Sequence, residues 1–174
     1  MELLETIYRD EKANPEGKTF LREAVRGIIF REEKLLMIYS TVNGDYKFPG
    51  GGVDRGESHL ETLRRELREE SGAMLTQVTG ELGKVVELAI AMDEGFETFK
   101  MNSYYYFCEI TGNLGSPNLE DYEEELGFRP EWVDIDTALE KNKMVLAESN
   151  PAPRWTRRES FILSLLKENG QEQL

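Results

Sequence analysis

The stretch Gly50–Ala73, GGGVDRGESHLETLRRELREESGA, constrains this chain more than any other. Three consecutive glycines weaken any regular element, because glycine loses the most backbone entropy on ordering. Ser58-His59-Leu60-Glu61 then reads as a capping box, in which the hydroxyl and the glutamate three residues later satisfy each other's free amides. A loop must therefore give way to a helix near Ser58. At 3.6 residues per turn, Leu60, Leu63 and Leu67 share one apolar stripe, and Glu66, Glu69 and Glu70 share a neighbouring arc. The stripe anchors the helix, while Glu61, Arg64 and Arg68 can pair on its far side. Glu66 and Glu70 are like charges one turn apart, an arrangement that costs stability unless a cation lies between them. Oxygen ligands of this kind suit magnesium, manganese or calcium better than zinc or copper. On the residues alone, a metal site and a solubilising face both stand.

Elsewhere the pattern favours strands. FLREAVRGIIF (Phe20–Phe30) and KLLMIYS (Lys34–Ser40) are aliphatic runs separated by Arg31-Glu32-Glu33, which predicts a hairpin. An earlier strand is expected at Leu3–Tyr8, before the Asn14-Pro15-Glu16-Gly17 turn, and later ones at Lys84–Met92, Thr98–Ile110 and Pro130–Ile135. A second capping box, Thr156-Arg157-Arg158-Glu159, opens a helix over residues 156–169 whose stripe of Phe161, Ile162, Leu165 and Leu166 packs on the sheet and stops near Gly170. A short helix is expected at Asp136–Lys141. A length of 174 residues, 39% of them hydrophobic, fits one domain over the whole chain, with residues 1–19 as a strand or hairpin extension.

With 34 acidic against 21 basic residues and a net charge of −13, the surface is unsuited to general attraction toward nucleic acid backbones or anionic membranes. One cysteine, Cys108, excludes an intrachain disulfide framework and a thiolate metal cluster, and a reducing, cytoplasmic setting is expected. MELLETIYRDEK has neither the basic leader nor the apolar core of a signal peptide or membrane anchor.

Two phosphate-binding patterns fail at the glycines. Gly51 and Gly56 trace a P-loop outline, but Glu57 stands where the phosphate-binding lysine belongs. Arg55 stands where a dinucleotide fingerprint begun at Gly50 and Gly52 needs its third glycine. The spacing that does fit is G-x5-E-x7-R-E-U-x-E-E-x-G-U, with U aliphatic: Gly51, Glu57, Arg65, Glu66, Leu67, Glu69, Glu70 and Gly72 fall in register, and Ala73 is a small residue at the last position. In this the chain resembles the Nudix hydrolase family, MutT-like, with no subfamily assigned. Phe48-Pro49-Gly50 before the box, and Glu131–Ile135 followed by Thr137–Leu139, extend the resemblance over roughly Glu23 to Leu139.

The resemblance implies an α/β fold, a Nudix-type α/β/α sandwich with a mixed β-sheet, whose box forms a loop, helix and loop over residues 50–73. It implies Mg²⁺, or Mn²⁺, held by Glu66, Glu69 and Glu70, with Glu57 and Arg65 bracing the loop. Gly50, Gly51 and Gly52 would let main-chain groups approach metal and phosphate where a Cβ would obstruct. It also implies hydrolysis of a phosphoanhydride in a nucleoside diphosphate linked to another group, such as a nucleoside triphosphate or nucleotide sugar. A non-catalytic nucleotide sensor is the alternative, and such proteins usually lose glutamates of the box. The expected partner is a small nucleoside diphosphate derivative rather than nucleic acid or membrane, and a homodimer is left open. Many members carry a loop glutamate that reaches the metal where this chain has NLEDYEEELG (Asn118–Gly127), which offers Glu120, Glu123, Glu124 and Glu125, and Glu124 is the choice there as the base that activates water. ELAIA (Glu87–Ala91) carries neither the proline of the family's ADP-ribose hydrolases nor the tyrosine of its dinucleoside polyphosphate hydrolases.

His59 is expected to face solvent and Cys108 to be a buried, inert thiol. The Tyr104-Tyr105-Tyr106-Phe107 run puts aromatics on both faces of a strand in structural roles, Trp132 is read as structural, and Trp155 as a core cap or cleft wall.

Overall fold

The computed structural model describes residues 1–171. In chain order the elements are β1 (Leu3–Tyr8), β2 (Thr19–Ile28), β3 (Phe30–Arg31), β4 (Lys34–Ser40), β5 (Tyr46–Lys47), α1 (His59–Ser71), β6 (Leu75–Ile90), β7 (Thr98–Ile110), α2 (Asp121–Glu125), β8 (Phe128–Asp134), α3 (Ile135–Glu148) and α4 (Thr156–Gln171). A mixed sheet runs β1-β6-β7-β2, with β1 parallel to β6, β6 antiparallel to β7, and β7 parallel to β2. A second, antiparallel sheet places β4 between β8 and the short β3 and β5. This is the expected α/β architecture with a mixed sheet, joined by a second sheet that the sequence reading did not separate.

The predicted hairpin between Phe20–Phe30 and Lys34–Ser40 shrinks to β3 and β4, paired at Phe30↔Leu35 and Arg31↔Lys34. β2 pairs with β7 instead, over Thr19↔Thr98 to Ile28↔Phe107, so the chain changes sheets between Ile28 and Phe30. An unbroken run such as VRGII (Val25–Ile29) is buried on both faces, and its composition does not say which sheet each half joins. β6 begins at Leu75, well before the predicted Lys84, and register shifts near Gly80 and Gly83 break the alternation that would have marked its polar first half. α3 runs to Glu148, beyond the short helix expected from Asp136 to Lys141.

Alternation along β7 divides the core. Tyr105 is fully buried with Ile162 and Leu163 of α4 and Ala138 and Leu139 of α3, whereas Tyr104, Tyr106 and Cys108 face Leu63 and Leu67 of α1. The stripe predicted for α1 loses its first member, since Leu60 is 40% exposed. The Ser58–Glu61 capping box is present, and it occupies the Glu61 carboxylate that was expected to pair with Arg64 and Arg68. At α4 the expected box is replaced: the Thr156 hydroxyl donates to Asp45, and the Glu159 carboxylate accepts from Tyr105, Arg158 and the Phe48 amide. α4 is thereby fixed to the strand leading into the glycines.

Candidate active site

The glycine loop lies along β2. Gly27 N donates to Pro49 O (2.9 Å), Val25 N to Gly51 O (3.0 Å), and Val53 N to Glu23 O (2.9 Å). Gly50 has φ +136°, and a Cβ there would run into the Val25 carbonyl. At Gly51 a Cβ would overlap the Glu66 carboxylate. Two of the three glycines are thus required by close approach, one to the strand and one to the helix. Arg26, near the end of β2, reaches out to donate to Gly50 O.

α1 presents its acids to this loop. Glu70 is almost wholly enclosed: one carboxylate oxygen pairs with Lys47 Nζ and the other accepts from Gly50 N at 2.7 Å. Burial pushes Glu70 up to about 7 against the pull of Lys47, with Glu123 and Glu66 adding repulsion. Glu66 is also raised by burial, opposed by Arg65. Arg65 binds Glu57 through Nε and Nη2 (2.9 and 2.8 Å), Glu66 and Glu69 through Nη1 (2.6 and 3.3 Å), and Gly52 O through Nη2 (3.1 Å). The fork of the guanidinium ties the loop to two turns of helix. Arg65 first, with help from the Thr62 hydroxyl, outweighs burial and holds Glu57 at about 2.

Together these groups line a cleft of about 280 Å³ bounded by Gly51, Gly52, Arg65, Glu66 and Glu69, by Arg22 and Asp54, and by Glu120, Tyr122 and Glu123. The predicted Glu66, Glu69, Arg65, Gly51 and Gly52 come together here, with Glu57 attached through Arg65. Gly50 and Glu70 stand behind the cleft and hold loop to helix. Glu124 is exposed and outside the lining, whereas its neighbour Glu123 is 3% exposed and accepts from the Tyr122 hydroxyl at 3.0 Å. α2 is five residues long, too short to show from sequence which glutamate faces inward. Lys47, Arg26 and Arg22 were missed, while Glu123 was among the loop glutamates considered but not the one chosen. The available signal for the first two was a lone cation in an apolar strand, which at low dielectric needs a partner.

Hard oxygen donors are the chemistry for a divalent cation of the magnesium type. Glu66, Glu69 and Glu123 supply them in one cleft, and the missing Cβ at Gly51 keeps the Glu66 carboxylate in place. Among the described residues no three His, Cys, Asp or Glu side chains already converge on one point; Arg65 bridges Glu66 and Glu69 instead. The donor set fits, with Arg65 as the cation that now balances it.

His59 is not simply solvent-facing. Its Nδ1 lies 2.6 Å from the Tyr106 hydroxyl and its ring 4.5 Å from that of Tyr104, so it fastens the start of α1 to β7. Cys108 is buried, and burial pushes its thiol up to about 12, leaving it protonated at neutral pH.

Because Glu57 sits below its ordinary 4.5, its contribution to stability is complete above that value and is lost as pH falls toward about 2. Arg65→Ala is therefore expected to melt lower than the parent at pH 7, by about 1–3 kcal/mol. Melting curves taken between pH 4.5 and 2 should show the gap closing. A gap that stays constant would take Glu57 out of the pair.

A family model described as NUDIX domain matches residues 20–155. YjhB of Bacillus subtilis (strain 168), whose description assigns it provisionally to the ADP-ribose pyrophosphatases, is 32% identical over 125 residues, 69% of this chain and 54% of that protein. The RNA pyrophosphohydrolase of Helicobacter pylori (strain G27) is 32% identical over 103 residues, covering 58% of this chain and 65% of that one. The chain thus spans roughly half to two thirds of the length of these curated relatives. Among solved structures, a NUDIX hydrolase from Nitrosomonas europaea aligns with TM-score 0.51 at 20% identity, over 72% of this chain and 80% of that one. The mutator MutT protein of Bacillus halodurans aligns with TM-score 0.50 at 24% identity, over 68% and 72%. At such identities the structural likeness bears on the fold alone.

Proposed function

The chain belongs to the NUDIX family, and from that membership and the geometry of the cleft we propose that it is a divalent-metal-dependent pyrophosphohydrolase acting on a small nucleoside diphosphate derivative. The observation that carries this reading is that Glu66, Glu69 and Glu123 line one cleft beside Gly51, whose missing Cβ leaves room for the Glu66 carboxylate. Glu66 and Glu69, with Glu123, would hold Mg²⁺ or Mn²⁺; Glu70, tied to Lys47 and Gly50, would set the loop. A divalent cation bound there supplies charge neutralisation for the phosphates and raises the acidity of water.

The rest falls to the chain's own groups. Arg22 lines the cleft without a carboxylate partner among the described residues, and so offers its guanidinium to a phosphate oxygen. Water attacks one phosphorus, the bridging P–O bond breaks, and the water's proton passes to a cleft carboxylate. Glu123 stands in the cleft where Glu124 was expected, because it is the enclosed loop glutamate. The net charge of −13 opposes holding a long polyanion along the surface and favours a small nucleotide substrate over an RNA strand.

Phosphate release from a panel of nucleoside triphosphates, nucleotide sugars, ADP-ribose and 5′-triphosphorylated RNA tests this with Mg²⁺ and with EDTA. Turnover of at least one small nucleotide, absent in EDTA, is expected. Nucleotide binding without metal-dependent turnover would replace the enzyme by a sensor.

Metal should also act on stability. A cation bound only by the folded state adds about 2.7 kcal/mol at 100 times its Kd. That corresponds to about 5–10 °C in Tm for a chain of this size. Mg²⁺ or Mn²⁺ is expected to raise Tm by that order and EDTA to reverse it, with the increment reduced in Glu69→Gln. An unchanged increment in that variant would remove Glu69 from the metal's ligands.

A further inference from the structure

The acidic cleft is not the only cavity of the described residues. A hollow of about 640 Å³ opens over the ends of β1, β6 and β7, against the α3–α4 connection, and shares no lining residue with the cleft. Its walls carry Tyr8, Phe99 and Leu146, and three arginines, Arg9, Arg154 and Arg157, face it along with the acids Asp10 and Asp93. In a chain with 34 acids against 21 basic residues, a cavity with more cations than anions stands against the overall charge.

The arginines differ in how they are held. Arg9 is committed, with Nε donating to Glu87 at 2.9 Å and the guanidinium 5.6 Å from the centre of the Phe99 ring. Arg154 and Arg157 have no ion-pair partner among the described residues, whereas the neighbouring Arg158 is buried and fully engaged by Glu87 and Glu159. Arg154 precedes α4 and Arg157 lies in its first turn, the end of a helix where the macrodipole disfavours positive charge. Local rules broken without an internal compensation point to an external one. An anion placed between Arg154 and Arg157 supplies it, and the paired geometry of guanidinium with phosphate is the strongest form of that contact.

The rest of the cavity specifies what the anion is attached to. Tyr8 and Phe99 offer aromatic surface to a planar ring, and Leu146 continues the apolar wall. A hollow of about 640 Å³ lies within the size range of small-ligand sites and admits a mononucleotide. We propose that this cavity is a second, non-hydrolytic site for an aromatic phosphate of mononucleotide size, its phosphate held by Arg154 and Arg157 and its ring against Tyr8 and Phe99.

Calorimetric titration of AMP into full-length protein in EDTA tests this apart from the metal-dependent reaction, with adenosine and inorganic phosphate titrated alongside. AMP is expected to bind more tightly than either fragment. Arg154→Ala/Arg157→Ala, at two exposed positions that do not threaten folding, is expected to weaken AMP by about tenfold or more. The double variant should keep the parent's Mg²⁺-dependent turnover and KM. Phe99→Leu should weaken AMP and leave phosphate unaffected. No AMP binding in EDTA, or equal binding by parent and double variant, would overturn the site. A rise in KM in the double variant would overturn its separateness from the hydrolytic cleft. Absence of turnover in every protein would count against the hydrolase reading and leave the AMP result to stand by itself.

Discussion

Glu66→Gln is expected to lower metal-dependent turnover by about 10²–10⁴-fold, while Glu61→Gln, the same chemical change five residues earlier on the same helix, leaves it within about twofold. The two carboxylates face different partners. Glu66 lies in the cleft, packed on Gly51 and bound by Arg65 at 2.6 Å, and its charge would act on metal and phosphate. Glu61 accepts from Ser58 N and Oγ at 2.8 and 2.7 Å in the capping box, where glutamine serves nearly as well. Its loss as an anion is expected to leave the melting temperature close to the parent's, as for an exposed ion pair. Steady-state rates at saturating Mg²⁺, on variants checked for folding by circular dichroism, make the comparison. Equal losses at the two positions would show that the general acidity of α1 matters and not the register that places Glu66 in the cleft.

Arg158→Met is expected to be the most destabilising single change considered, at about 3–5 kcal/mol. Arg158 is buried and donates to Glu87 and Glu159, which are themselves 1% and 0% exposed. Burial alone would raise Glu87, but Arg158 and Arg9 outweigh it and hold its carboxylate below the ordinary range. Removing Arg158 leaves two carboxylates in the core facing one remaining cation, Arg9. Glu159 also accepts from Phe48 N, so the change reaches the strand that feeds the glycine loop. A fall in Tm of about 10 °C is expected for a chain of this size, and denaturant melts would give the free energy directly. A variant as stable as the parent would mean that this network contributes no net stability.

How much of this was legible in the sequence follows the range of each interaction. Ser58–Glu61, the Glu66-Glu69-Glu70 arc and the glycines before them are set by contacts within a few turns, and helical periodicity displays them. The pairing of β2 with β7 in place of β4, and the reach of Glu159 to Phe48 across 111 residues, are contacts between distant segments that no local pattern encodes. The same holds for Lys47 against Glu70 and Arg26 against Gly50 O, where only the oddity of a cation in an apolar strand was visible. Glu123 and Glu124 are chemically identical neighbours, and the short α2 decides which one turns inward.

The cleft's claim to be a cation site can be measured apart from any substrate, by titrating Mn²⁺ and following the free ion by electron paramagnetic resonance in the parent, Glu61→Gln, Glu66→Gln and Glu69→Gln proteins. The parent and Glu61→Gln are expected to bind Mn²⁺ alike, and Glu66→Gln and Glu69→Gln to bind it about tenfold or more weakly. Four superimposable titrations would contradict the assignment and place any metal elsewhere in the molecule.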